Sequence, residues 1–321
     1  MEPPSPTTTA ANDELLELVH EVRQELLLRD ESPSGEWIEE TAEDLKRGRK
    51  PGWYYPASAG GGLSFYTARE GEAFAHVHVS PGDREVERGR ALAAALLDGL
   101  APSVHSVDLG FTGLTVESER ALLEELAQRP GSQVIERAFM ERALDAADGE
   151  RRPTVPEGVR LVPVRAVTVE ALADLDWRAF RGSVDSLLIG RDAVQYRRVL
   201  EALLAGQMGR FLDEASTTLV LPDPPRLAGA ILSAERSPRR AVFIDFMVDP
   251  ELRRRGYGRF LFHWGLRALW ALGYQRVGLW VTRSNEPARR MYEEAGLLVT
   301  ARAAIYRWER GTASPQRHSA A

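Results

Sequence analysis

Apolar positions along the chain alternate between short runs and 3.6-residue stripes, most clearly towards the C-terminal end. Val242-Phe243-Ile244-Asp245-Phe246-Met247-Val248 is an apolar run broken only by Asp245, the pattern of a buried strand. Phe260 to Trp270 is apolar on more than one face, as a helix packed against a sheet must be, and Gly273 ends it. Val277-Gly278-Leu279-Trp280-Val281-Thr282 predicts a second buried strand. Asn285 then opens a further helix as its cap, Pro287 is tolerated in the first turn, and Gly296 supplies the stop.

The same reading covers the rest of the chain. Residues 1–12 are expected to be loose, and Glu14 to Arg29 and Gly35 to Arg47 helical. Trp53 to Pro56 and Leu63 to Thr67 predict strands split by the Gly60-Gly61-Gly62 turn. Asp145 to Gly158, rich in proline and charge, reads as a linker. Beyond it come a strand at Val159 to Val164, helices at Thr168 to Phe180 and Ala193 to Leu204, and strands at Thr217 to Leu221, Leu227 to Glu235 and Ala303 to Trp308. The tail from Gly311 is expected to be disordered.

An internal repeat underlies this layout. Phe74-Ala75-His76-Val77-His78-Val79-Ser80-Pro81 aligns with Phe243 to Pro250, placing Arg84 opposite Arg253, Glu87 opposite Gly256 and Gly89 opposite Gly258. With one residue of slip, Val107 to Thr112 matches Val277 to Thr282, Thr115 falls opposite Asn285 and Leu122 opposite Tyr292. The first copy keeps the apolar pattern and loses the polar residues. It reads as a degenerate domain (13–144) before a complete one (159–310).

The chemistry sits in the second copy. Arg253-Arg254-Arg255-Gly256-Tyr257-Gly258 lies between a predicted strand and a predicted helix. Its glycines permit a tight turn that points backbone N–H groups outward, and the helix N-terminus adds partial positive charge, so the turn is an anion cradle. Arg-x-x-Gly-x-Gly in this setting resembles the pyrophosphate loop of the GNAT (Gcn5-related) N-acetyltransferases. Asn285-x-x-Ala288-x-x-x-Tyr292-Glu293-x-x-Gly296 resembles the second hallmark of that family. The resemblance implies an α/β (α+β) fold of two tandem GNAT-like domains, each a mixed, mainly antiparallel sheet flanked by helices. It also implies acetyl-CoA as co-substrate, held by Met247, Val248, Arg253, Arg254, Arg255, Gly256, Tyr257, Gly258, Arg259, Asn285, Ala288 and Tyr292.

Composition narrows the partners. The 321 residues are 44% hydrophobic and 27% charged, with a formal net charge of −6, values ordinary for a globular protein and unfavourable for a general nucleic-acid surface. No apolar stretch is long enough to span a bilayer, and the start lacks the basic and apolar regions of a signal peptide. Cysteine is absent, which excludes disulfides, thiolate metal sites and a cysteine nucleophile. Lys46 and Lys50 are the only lysines, a bias that fits a GC-rich genome. A cytoplasmic bacterial protein, monomeric or homodimeric, is expected.

Acetyl transfer to an amine needs a proton acceptor for the ammonium, a donor for the oxyanion and a proton for the leaving thiolate. The resemblance implies a backbone N–H near Met247 and Val248 for the oxyanion and Tyr292 for the thiolate; a core aromatic is the other reading of Tyr292. Asp245, a carboxylate in an apolar strand, is the first candidate base, against a structural carboxylate or a proton relayed through water. Asp185 lies where the family builds its amine pocket and is a candidate substrate contact. His76, His78 and His105 complete no familiar metal spacing, so no metal is expected, and His263 reads as packed. Amino acids, polyamines, aminoglycoside-like amines and protein N-termini all remain open as acceptors. The alternative is a non-catalytic acyl-CoA-binding or interaction protein of the same fold.

Overall fold

The computed structural model describes residues 2–28, 36–186 and 193–311. In chain order the first elements are β1 (Ser5–Pro6), α1 (Asn12–Leu28), α2 (Glu36–Lys46), β2 (Gly52–Tyr55), β3 (Gly62–Arg69), β4 (Glu72–His78), α3 (Glu85–Asp98), β5 (Ser106–Thr112), α4 (Val116–Leu126) and β6 (Ser132–Ala143). There follow α5 (Ala146–Glu150), β7 (Arg160–Pro163), α6 (Val169–Phe180), α7 (Ala193–Leu204), β8 (Arg210–Phe211), β9 (Thr217–Pro222) and β10 (Pro225–Ser237). The last are β11 (Arg240–Val248), α8 (Tyr257–Ala271), β12 (Arg276–Thr282), α9 (Glu286–Glu294) and β13 (Leu298–Glu309). No helix among the described residues is long and apolar enough to cross a membrane.

The chain divides into two compact units, Met1–Glu136 with Ala304–Ala321, and Arg137–Ala303. In the first unit β1 to β5 lie side by side in sequence order, antiparallel except for the parallel pair β4–β5. Residues Ile305–Glu309 of β13 pair antiparallel with β5. Leu15, Leu18, Val19 and Val22 of α1 recur at helical spacing and are buried with Leu45, Leu63 and Phe65 in one cluster. A second cluster joins Leu92 and Leu96 of α3, Leu122 of α4, the β4–β5 strands and Tyr306.

The second unit repeats the plan. Its strands run β6 (from Arg137), β12, β11, β10, β9, β7, with β8 also on β10 and only β11–β12 parallel. Phe260, Leu261, Phe262, Leu266 and Leu269 of α8 fill one cluster, while Leu172 and Leu175 of α6 fill another with Tyr196, Leu200 and Leu203 of α7. Gly265 lets α8 approach the sheet closely, since a Cβ there would stand 2.8 Å from the Phe243 ring.

Three expectations are corrected. Residues 1–12 include a strand pairing Ser5 with Tyr54 and Pro6 with Trp53, and Thr7 is buried. The linker carries α5, closed by a capping box between Asp145 and Asp148. Boundaries near 144 and 159 also miss that β6 and β13, at 12 residues each, are divided between the units, so the first unit is completed by a segment remote in sequence while the second is one continuous stretch. Arg29 and most of the C-terminal tail lie outside the described residues.

Glu141 of β6, 5% exposed, is held by Arg240 of β11 at 2.5 Å and Arg276 of β12 at 2.7 Å. Burial pushes its carboxyl up, but the bonds to Arg276 and Arg240 outweigh this and the net shift is downward. A lowered carboxyl pKa stabilises the fold above the unfolded value, and the benefit is lost as pH falls through the folded one. Glu141→Gln is expected to cost about 2 kcal/mol at neutral pH, a value reduced for the exposure of both arginines. Denaturant titrations at several pH values check this, and the cost should shrink on acidification.

Candidate active site

The site begins where two strands part. β11 and β12 pair only from Arg240–Arg276 to Val242–Gly278. A bulge follows in β11, since Leu232 of β10 faces Asp245 while the next residue, Ser233, faces Phe243. The extra residue, Ile244, adds twist and re-aims the following side chains. Two cavities, of about 910 and 200 Å³, open along the unpaired segment.

The wider cavity is lined by the β11–α8 loop and the start of α9. Gly256 is the N-cap of α8, with φ +82°, and a Cβ there would meet nothing within 4 Å. Its left-handed backbone favours glycine and leaves open space before the first-turn N–H groups of α8. Arg254 also has positive φ (63°). Arg253 is occupied in part: its Nη2 donates to Ala179 O at 2.6 Å, tying the end of α6 to the loop. Buried Asp249 anchors the loop from the other side, accepting from Arg226 at 2.7 Å and from Arg178 at 3.2 Å. Arg253, Arg254, Gly256, Tyr257, Gly258 and Arg259 all line the cavity, whereas Arg255 is exposed and not part of its wall. Arg259 pairs with Glu294 at 2.8 Å.

Met247 and Val248, opposite Ala230 and Gly229 of β10, bring the end of β11 to the same cavity. Asn285 accepts from Ala288 N at 3.4 Å as the α9 cap, and Ala288 lines the cavity. Phe180, Asp185, Phe246, Asn285 and Tyr292 line both cavities and are the wall the two share. Tyr292 is 5% exposed and packs on Phe262 at 5.3 Å and Phe246 at 6.4 Å. Burial, with Asp185 and Asp245 nearby, pushes its phenol up, so it stays protonated.

The narrower cavity is rich in carboxyl groups. Asp245 lines it, and burial raises its pKa. Behind it Asp176 of α6 is fully buried, and among the described residues its carboxyl oxygens have no hydrogen-bond partner apart from the Asp245 carboxyl. Burial and then the charge of Asp245 raise the Asp176 pKa strongly. Two carboxyls this close hold one proton between them at neutral pH. The buried Tyr196 hydroxyl likewise has no partner among the described residues, and its pKa is raised by burial and by Asp176 and Asp245. Asp185 accepts from Thr282 Oγ1, and Arg137 completes the wall.

Sequence reasoning missed Asp176, Tyr196 and Arg137. One signal for Asp176 was present, because it lies four residues after Leu172 and so on the buried stripe of α6, while Asp174 faces out. His263 lines neither cavity, His78 is bonded to Thr112 and Glu21, and no group of three metal-binding side chains occurs among the described residues.

In the first unit the corresponding strands stay zipped. β4 and β5 pair at all seven positions, and Val79 N donates to Thr112 O just beyond. The alignment of Glu87 with Gly256 is corrected. The β4–α3 loop has six residues (79–84) against eight (249–256), and Arg84 at φ 60° caps α3. Glu87 therefore lies in the first turn of α3. Beside the loop, buried Arg88 donates to Gly61 O at 2.6 Å and Ser80 O at 2.9 Å.

The candidate site thus combines a splayed parallel strand pair, an open glycine turn at a helix N-terminus and a tyrosine shared by both cavities. Residues 169–297 match the acetyltransferase (GNAT) family. A mycothiol acetyltransferase of Geodermatophilus obscurus is 32% identical over 271 residues, covering 79% of this chain and 80% of that protein. A GCN5-related N-acetyltransferase from Sphaerobacter thermophilus shares the fold at 18% identity, with a TM-score of 0.59 over 94% of both chains. A tandem GNAT protein from the clavulanic acid biosynthesis pathway shares it at 16% identity, with a TM-score of 0.55 over 95% of this chain and 98% of its own. The chain belongs to the GNAT family of N-acetyltransferases, in its tandem form.

The carboxyl pair has a consequence for stability. Raised carboxyl pKa values mean that the folded state binds the extra proton, so its contribution is greatest below the unfolded value and falls as pH rises through the folded one. Asp176→Asn is expected to raise Tm at neutral pH by about 3 °C or more, with the gain vanishing towards pH 4. Thermal melts across pH check it; a variant less stable at every pH would contradict the pairing.

Proposed function

We propose that the unit from Arg137 to Ala303 transfers an acetyl group from acetyl-CoA to a primary amine by direct attack in a ternary complex. The observation that carries this is the shared wall of two unlike cavities, the wider beside an anion cradle and the narrower lined by carboxyls, with Tyr292 in the wall of both. The α8 N-terminal N–H groups, with Arg254 and Arg259 beside them, suit a pyrophosphate. No side chain fills the space before Gly256, so the cradle fits that group.

Each remaining step falls to a residue of this chain. Asp185 and the carboxyl pair draw an ammonium into the narrower cavity. Asp245 takes its proton, so the free amine nitrogen can attack the thioester carbon. A backbone N–H at Met247 or Val248 stabilises the oxyanion. As the carbon–sulfur bond breaks, Tyr292 gives its proton to the leaving thiolate, and the second proton, shed by the nitrogen as it becomes a neutral amide, restores the phenol; a phenol held neutral by burial suits this donation. The acceptor is a small-molecule or peptide amine, and the mycothiol chemistry named for the G. obscurus relative is one class to assay. A cysteine-free chain suits a cytoplasmic enzyme.

Coenzyme A release over a panel of amines tests the activity, and its absence with every amine would favour a non-catalytic acyl-CoA-binding protein. Tyr292→Phe is expected to lower kcat roughly 10²-fold while acetyl-CoA affinity stays near wild type. An unchanged kcat would return Tyr292 to a packing role.

A further inference from the structure

Arg137 is a cation whose Nε goes unmatched among the described residues. It stands on β6 and lines the narrower cavity together with Asp245, Asp185 and Tyr292. Its Nε is buried without a hydrogen-bond partner among the described residues, and burial lowers its pKa. The Trp280 ring lies 5.9 Å from the guanidinium carbon and covers one face, leaving the N–H groups at the edge. Asp185 is the opposing charge, but it already accepts from Thr282, and no ion pair joins it to Arg137 among the described residues. A buried guanidinium Nε left without an acceptor is costly unless something else completes it. It faces a cavity of about 200 Å³, room for a small acyl acceptor.

Resting on the acetyltransferase reading above, we propose that Arg137 is the specificity-determining residue of the acceptor pocket, selecting amines that also carry an oxygen acceptor, as a carboxylate or a carbonyl. The carboxyl groups of the cavity take the ammonium, and the guanidinium edge takes the oxygen. The planar donor fork suits either form of oxygen. A bare alkylamine leaves these donors unpaired, and an enzyme rejects a substrate that strands a buried polar group more strongly than one that merely lacks apolar contact.

The test compares matched triplets for several small side chains: the amino acid, its primary amide and the alkylamine lacking the carbonyl. With the full-length chain, kcat/KM for the amino acid or the amide is expected to exceed that of the alkylamine by about 30-fold or more, consistent with a stranded hydrogen bond to a charged group. Which oxygen-bearing member leads tells carboxylate from carbonyl. Arg137→Met should bring the ratio to within about three-fold. No preference in the wild type, or a ratio unchanged in the variant, overturns the proposal. Loss of stability with the ratio intact does so too and makes Arg137 structural. If Arg137→Met does not fold, Arg137→Lys is read in its place: a fall in the ratio of three-fold or more supports the proposal and an unchanged ratio overturns it. If the wild type turns over no amine, the acetyltransferase reading fails separately. Calorimetry of the N-acetylated amino acids and amides then decides the subsite: binding that Arg137→Met abolishes supports it, and absent or equal binding overturns it.

Discussion

The site depends on how early β11 and β12 stop pairing. Three residue pairs join them, and from Phe243 onward β11 runs without a parallel neighbour along that edge. Both cavities lie along this opening, with Asp245 just past the bulge, and Met247 and Val248 at its end beside the glycine turn. Sheet pairing normally consumes backbone donors. Ending it early leaves strand residues at a ligand's disposal without requiring a flexible loop.

The first unit shows what pairing to the end does. β4 and β5 stay joined through Thr112, the following loop is two residues shorter, and Arg88 bonds the carbonyls that border it. What separates this unit from the candidate site is thus a matter of backbone as much as of side chains. The helices and strands persist because their apolar stripes still bury surface, which needs none of the polar residues that the second copy retains.

Much of this was legible in the sequence. The strand, glycine turn and helix around Arg253–Gly258 lie where the apolar rhythm placed them, because local pattern and backbone agree there. The register of the loop in the first copy was not legible, since a two-residue deletion hides behind matching Arg84 and Arg253. Asp176 was overlooked because one acidic residue on a helix is ordinary, and its burial shows only once α6 is seated. Arg137 was out of reach for a different reason. It belongs by sequence to the first half, and only the division of a 12-residue strand between two units brings it to the cavity.

The central claim is that the splayed cleft of the Arg137–Ala303 unit alone holds the acyl donor. Hydrogen exchange of the full chain with and without acetyl-CoA tests this most directly. The account predicts protection of amides from Val248 to Arg259 and no change from Val79 to Arg88. Protection of the second segment, or none in the first, would contradict it.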